Sequence, residues 1–183
     1  LGYIGTELCK IYSGYSWNDK ITVIDNRFVS ERVNQIRNWN MNFIQGDILD
    51  KELIKKNCRD ADIVHHLAGI TDVPRVKSES SEDKNRLISK VAEEGTQNIL
   101  DAINNKCKII MPSSHVVFEG IENVKMNIKE NEKVNPVLSY GKSKAINEEQ
   151  LKKSGKNYII LRLGSVYGYS LDTARIDIMA NYF

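Results

Sequence analysis

Cysteine is scarce in this chain, and what there is does not cluster. Cys9, Cys58 and Cys107 are far apart and odd in number, which argues against a disulfide framework and a cysteine metal site. Reduced thiols packed as small apolar residues are the expectation. An excess of one charge is also missing. The 26 basic side chains nearly balance 24 acidic ones, for a net charge of +2, which leaves no electrostatic footprint for nucleic acid or a membrane surface. No apolar run approaches the roughly 20 residues that a bilayer requires. Nothing reads as a signal peptide, and there is no internal repeat or low-complexity linker. A cytoplasmic protein that binds no metal is therefore expected. Its 183 residues suffice for one core and not for two full domains.

The chain begins at Leu1 without a Met or a preceding strand, and it stops at Phe183 inside an amphipathic pattern that starts at Ala174. It therefore reads as a fragment. The expectation is that a first strand and most of a C-terminal substrate domain lie outside it. Residues 1–168 would form a dinucleotide-binding domain, and 169–183 would open the substrate-binding region.

Between those ends, short apolar runs alternate with helical periodicity. Ile21–Asp25, Asn42–Ile48, Ala61–Gly69, Cys107–Met111 and Tyr158–Leu163 read as strands. Helices are predicted over Glu31–Asn38, Asp50–Cys58, Asp83–Asn104 and from Tyr140 to about Ser154, with Asp50 as an N-cap and Gly155 as a stop. A polar loop carrying Pro74 spans Thr71–Ser81. The alternation predicts an α/β fold, a doubly wound, Rossmann-like parallel sheet with helices on both faces. Such a sheet places its ligands at the carboxyl ends of the strands.

Several polar or small residues fall at those ends. Gly2-Tyr3-Ile4-Gly5 runs into a helix, a turn whose free N–H groups suit a pyrophosphate. Asp25, with Asn26 beside it, lies 20 residues after Gly5 (25 − 5), where a dinucleotide fold wants a carboxylate on the adenosine ribose. Arg27 raises the alternative of a 2′-phosphate, but the carboxylate would repel it, so NAD is preferred over its phosphorylated form. Asp47 and Ile48 could flank an adenine. Leu67, Ala68 and Gly69 let a cofactor approach the backbone. His65 and His66 point to opposite faces if they lie in a strand and cannot form one metal site. Ser114 follows the apolar run at Met111, and Ser165 follows that at Leu163.

Tyr140 and Lys144 are four residues apart, one turn on a single helix face. A free phenol titrates near about 10, too high for a base at neutral pH. An ammonium group beside it favours the phenolate, so the pair could act as a general base. Taken alone, Tyr-x-x-x-Lys is common and fits an ordinary surface helix better; the rest of the chain has to overturn that reading.

Taken together, the motifs resemble the extended short-chain dehydrogenase/reductase superfamily, in particular its NAD-dependent nucleotide-sugar epimerase/dehydratase family. The resemblance spans nearly the whole chain. It rests on Gly-Tyr-Ile-Gly, Val-Ile-Asp at Asp25, Gly-Asp-Ile at Asp47, His-Leu-Ala-Gly to Gly69, Ser113-Ser114, Tyr-Gly-Lys-Ser-Lys at Tyr140 and Leu-Arg-Leu-Gly-Ser-Val-Tyr-Gly to Gly168. It implies Ser114 as the hydroxyl that bonds the substrate oxygen and Tyr140 as acid/base. Lys144 would hold the nicotinamide ribose and tune Tyr140. Ser114, His115, Tyr140 and Ser165 would face the substrate, and a homodimer through the two long helices is implied by analogy.

The departures are specific. The usual Val-Tyr-Gly is here Val117-Phe118-Glu119, and His115 and Val116 replace the acidic residues that dehydratases carry after the hydroxyl. Ala92 and Ser165 stand where the family commonly has Asn. The expected function is an NAD-dependent nucleotide-sugar epimerase. A net reductase of a keto-sugar or small carbonyl and a non-catalytic NAD-binding module are the alternatives.

Overall fold

The structure is a computed structural model, and it describes residues 1–15, 20–71, 81–122 and 125–170. The expected loop at Pro74 and the amphipathic pattern from Ala174 lie outside the described residues. The chain divides into two compact units, Leu1–Asp47 with Ser165–Phe183, and Ile48–Gly164.

In the first unit, helix α1 (Tyr3–Ser13), strand β1 (Thr22–Asp25), helix α2 (Ser30–Asn38) and strand β2 (Asn42–Gln45) follow one another. β1 and β2 pair in parallel, with Thr22 opposite Asn42 and Asp25 opposite Gln45. Cys9, Ile36 and Met41 form a small core against which Tyr12, Val23 and Phe43 pack. Gly2 is the N-cap of α1 and offers no side-chain cap to the N–H groups of its first turn. Asn40 closes α2 with a φ of 58°, the left-handed conformation that Asn tolerates better than most residues.

The second unit holds α3 (Lys51–Cys58), β3 (Ile63–His65), α4 (Glu82–Ala102), β4 (Lys108–Ser114), a 3-10 turn (His115–Phe118), α5 (Ser139–Lys153) and β5 (Asn157–Leu163). The strands run in parallel in the order β3-β4-β5. The Asp50 carboxylate accepts from Leu53 N at 3.0 Å and so caps α3, as the sequence predicts. Gly155, at φ 67°, follows α5 where the stop is expected. Ile88, Ile99, Ile109, Met111, Val117 and Leu151 are buried, and each such side chain contributes about 1.5–3 kcal/mol by leaving water.

The five expected strands are present and all pairs are parallel, so the fold is α/β. Among the described residues, however, they form a two-stranded and a three-stranded sheet, and no strand bonds both β1 and β3. Strand lengths also differ from the sequence reading, β2 for one stopping at Gln45 and not at Ile48. β4 runs on through Pro112, Ser113 and Ser114 because β5 continues beside it, with Ser114 opposite Leu163. β3 stops at His65: His66 N still donates to Ile110 O of β4 at 2.9 Å, but Leu67 N turns back to His65 O at 3.0 Å. Among the described residues no helix is long and apolar enough to cross a membrane.

One glycine sets a packing distance. A Cβ on Gly95, midway along α4, would sit 2.8 Å from Ile48 Cγ2, too close for a branched side chain to yield cheaply. Asn98, one turn on, donates to Ile48 O at 3.0 Å. Gly95→Ala should therefore lower stability by about 1 kcal/mol, the overpacking outweighing the better helix propensity of Ala. Urea unfolding checks this, and a stabilised variant would refute it.

Candidate active site

The catalytic candidates of the second unit are brought together by the packing of α5 against β4 and the 3-10 turn. Ser114 is the last residue of β4 and the first to cap the turn, its Oγ accepting from Val116 N at 3.4 Å. Tyr140 and Lys144 lie on one face of α5, with Lys144 Nζ 5.6 Å from the centre of the Tyr140 ring. Lys144 Nζ donates to Pro112 O at 3.1 Å, two residues before Ser114. Gly69 lies alongside, and a Cβ there would come within 4.0 Å of the same nitrogen. Burial pushes the Lys144 ammonium down to about 8. A poorly solvated cation next to a phenol stabilises the ionised phenol more strongly than one in bulk water. An ammonium has three donors, and the carbonyl of Pro112 takes one.

Two buried polar networks fix this arrangement. Glu148, one turn beyond Lys144, is buried and accepts from Ser113 Oγ at 2.7 Å. Arg162 of β5 grips it with two N–H groups, Nε to Oε1 at 2.9 Å and Nη2 to Oε2 at 2.6 Å. Burial pushes the Glu148 carboxyl up, but the bonds from Arg162 and Ser113 outweigh it and hold it below the usual range. Arg162 also donates to Glu130 O at 2.9 Å and lies over the Phe118 ring at 4.9 Å. In the second network His66 Nε2 is 2.8 Å from Thr96 Oγ1, and Asn147 Nδ2 donates to Thr96 Oγ1 and to Ala92 O, each at 2.8 Å. Burial, with the Lys144 charge second, pushes His66 down to about 3, so it is neutral.

The sequence reading did not single out Glu148 or Arg162. The apolar residues that the sequence offers on α5 are Ala145, Ile146 and Leu151. Of these only Leu151 is fully buried, and the inward face is otherwise Gly141, Ser143, Asn147 and Glu148. The available signals were the isolated Arg inside the apolar run of β5 and a Glu eight residues after Tyr140 on the same helical face. His115 is exposed, and its Nδ1 is 3.2 Å from Leu163 O. Leu67 is partly buried, and Ala68 and Gly69 are exposed.

The first unit gathers the residues expected around the adenosine half of a dinucleotide. Asp25 and Asp47 follow one another along the ends of β1 and β2. Asn26 Nδ2 donates to Asp47 Oδ2 at 3.1 Å, and Asp25 Oδ1 accepts from Arg27 N at 2.8 Å. The Leu1 amino group pairs with the other Asp25 oxygen. Gly2, Tyr3, Ile4 and Gly5 form the start of α1, and the Tyr3 hydroxyl donates to Gly168 O at 3.0 Å. Ser165 is exposed and also belongs to this unit. Ile48 belongs to the second unit, held by Asn98 and facing Gly95.

Two measurements test this description. Arg162→Ala leaves the buried Glu148 carboxylate, among the described residues, with only Ser113 and the half-exposed Lys152 as side-chain partners and should cost about 3 kcal/mol, part of it recovered when Glu148 is also replaced by Ala; a loss under 1 kcal/mol in urea unfolding would contradict the network. The folded chain holds the Lys144 proton less tightly than the unfolded chain, whose value is 10.5. The cost of the buried ammonium is therefore complete below pH 8, shrinks as pH rises from 8 to 10.5 and is absent above that. In ligand-free protein, Lys144→Met should be more stable than the parent at pH 7, by as much as about 3 kcal/mol. That gap should close at alkaline pH; a gap that does not change with pH would exclude the buried charge as its origin.

Over residues 1–172 the chain matches the 3-beta hydroxysteroid dehydrogenase/isomerase family. A relative from Methanocaldococcus jannaschii, provisionally named a UDP-glucose 4-epimerase, is 30% identical over 179 residues, 93% of this chain and 55% of its own length. The 3beta-hydroxysteroid-dehydrogenase/decarboxylase isoform 2 of Arabidopsis thaliana is 29% identical over 147 residues, 73% of this chain and 24% of its own. Among solved structures, UDP-glucose 4-epimerase from Brucella ovis in complex with NAD superimposes with a TM-score of 0.74 at 27% identity, covering 92% of this chain and 51% of the epimerase. This chain thus spans about half, or less, of the length of each. The chain belongs to the 3-beta hydroxysteroid dehydrogenase/isomerase family, and with it to the extended short-chain dehydrogenase/reductase superfamily.

Proposed function

We propose that the protein carrying this chain is an NAD-dependent epimerase of a nucleotide sugar, with a UDP-sugar as the substrate class. The observation that carries the reading is the Tyr140–Lys144 pair on one helix face, its ammonium largely buried and anchored two residues from Ser114. Names of relatives and structural neighbours point to the same chemistry.

The residues fit the cofactor. Lys144 has donors beyond the one given to Pro112, suited to the hydroxyls of a nicotinamide ribose. The uncapped first turn of α1 suits a pyrophosphate, and Asp25 is an acceptor for the adenosine ribose hydroxyls. When bound, NAD would accept a hydride from the sugar carbon and return it to the opposite face.

The chain's own residues would then manage one proton. The Tyr140 phenolate accepts it from the sugar hydroxyl, and the Ser114 hydroxyl donates to the same oxygen and steadies it as the ketone forms. Lys144 acts through its charge and not as a nucleophile. On the return step Tyr140 gives the proton back to the new alkoxide. No acid stands at His115 or Val116 to expel a hydroxyl, which disfavours dehydration.

A second reading, a net dehydrogenase, draws on the family match and the plant relative. The two differ in stoichiometry. Full-length protein converting a UDP-sugar at catalytic concentrations of NAD, with no bulk change in reduced-nicotinamide absorbance, supports the epimerase. Accumulation of reduced nicotinamide equal to product would replace it with the dehydrogenase. In either case Tyr140→Phe should lower kcat at least about 10³-fold while NAD stays bound, and unchanged turnover would remove Tyr140 from the chemistry.

A further inference from the structure

We propose that Glu119 is a positioning residue for Tyr140, acting as a two-pronged acceptor that fixes the chain leading into α5. The inference rests on the acid/base role given above to Tyr140. Glu119 stands directly after the 3-10 turn that Ser114 caps. Its Oε1 accepts from two successive main-chain N–H groups, Val137 at 2.7 Å and Leu138 at 2.5 Å. Leu138 is the N-cap of α5, it is extended, and its own side chain caps nothing. Tyr140 is only two residues further on. The carboxylate thus holds the N–H groups of the two residues that lead into the helix, and it ties the Ser114 side of the site to the Tyr140 side.

The surrounding contacts show that the tie sets a distance. The same Oε1 is 3.2 Å from where a Cβ on Gly141 would sit, with Val116 O at 3.0 Å and Pro136 Cβ at 3.1 Å. Gly141 therefore lies directly against the turn. Beside it, Asn135 N donates to Val117 O and Gly120 N donates to Asn135 O, each at 2.8 Å, and Asn135 Nδ2 donates to Gly120 O at 2.5 Å. A Cβ on Gly120 would stand 2.5 Å from Asn135 O. The main chain on both sides of Glu119 is thus pinned to residues 135–138. A phenol and an alcohol that act on one substrate oxygen tolerate little relative movement, since a misplacement of about 1 Å can cost about 100-fold in rate. Glu119 stands where the resembled family has Gly, so the tie does not come with the shared motif.

The test uses full-length protein with a UDP-sugar and NAD. Glu119→Ala should lower kcat about tenfold or more, with KM for the sugar and the affinity for NAD within about twofold. Glu119→Gln keeps an amide oxygen for the same two N–H groups and should restore kcat to within about threefold. Wild-type kcat in Glu119→Ala, or equal loss in both variants, would overturn the proposal. A second readout does not need turnover. The ionisation of Tyr140 is followed by phenolate absorbance, as the difference between each protein and its Tyr140→Phe counterpart. Its midpoint should move in Glu119→Ala and return in Glu119→Gln. If no UDP-sugar is turned over, the epimerase reading fails while this shift still supports the positioning role; identical midpoints in all three backgrounds would end it.

Discussion

The second unit depends on one buried carboxylate. Glu148 sits where α5, β4 and β5 meet, and it is acceptable there because Arg162 and Ser113, with Lys152 at 3.3 Å, answer both of its oxygens. A bidentate guanidinium matches the plane and spacing of a carboxylate as no point charge does. The pair need not add net stability, because removing two charges from water is costly. What it does fix is rotation. A helix whose inward face is small and polar could slide or roll over a sheet if only apolar contacts held it. With Glu148 bound from two strands, Lys144 one turn earlier faces Pro112, and the Tyr140 ring lies 5.6 Å from its nitrogen.

That orientation is also why Lys144 is a poor fit for its surroundings in electrostatic terms. Its nitrogen is turned inward beside neutral His66 and the phenol ring, and the nearby Pro112 carbonyl only partly replaces water. A site of this kind is unstable with respect to its own charge and stabilised by whatever supplies acceptors or a neighbouring anion. Function and fold therefore pull in different directions at this residue.

Much of this was legible in the sequence because polar residues at the ends of apolar runs stand out. Asp25, Asp47 and Ser114 each follow such a run, and each lies at or just beyond the carboxyl end of a parallel strand. The helix stop at Gly155 and the cap at Asp50 were equally local signals. Other features were hidden because partners decide them. The apolar run ends at Met111, yet β5 continues beside Pro112 and keeps the ladder going. His66 to Gly69 looked like strand, yet the chain turns at Leu67. Glu148 looked like one more charge on a lysine-rich helix, since periodicity separates apolar from polar and α5 buries a polar face. Glu119 registered only as a departure from a motif; that its carboxylate reaches Val137 and Leu138, 18 and 19 residues away, is a tertiary fact.

The close approach at Gly141 has a consequence for how such a site can diversify. Here helix and turn meet through main-chain atoms, with a carbonyl oxygen as the facing surface. The span between the two hydroxyl-bearing segments is consequently gauged by backbone geometry, which changes little as neighbouring side chains are exchanged. Residues lining the cleft are then free to be rewritten for a different substrate, while the spacing that proton transfer requires is inherited intact.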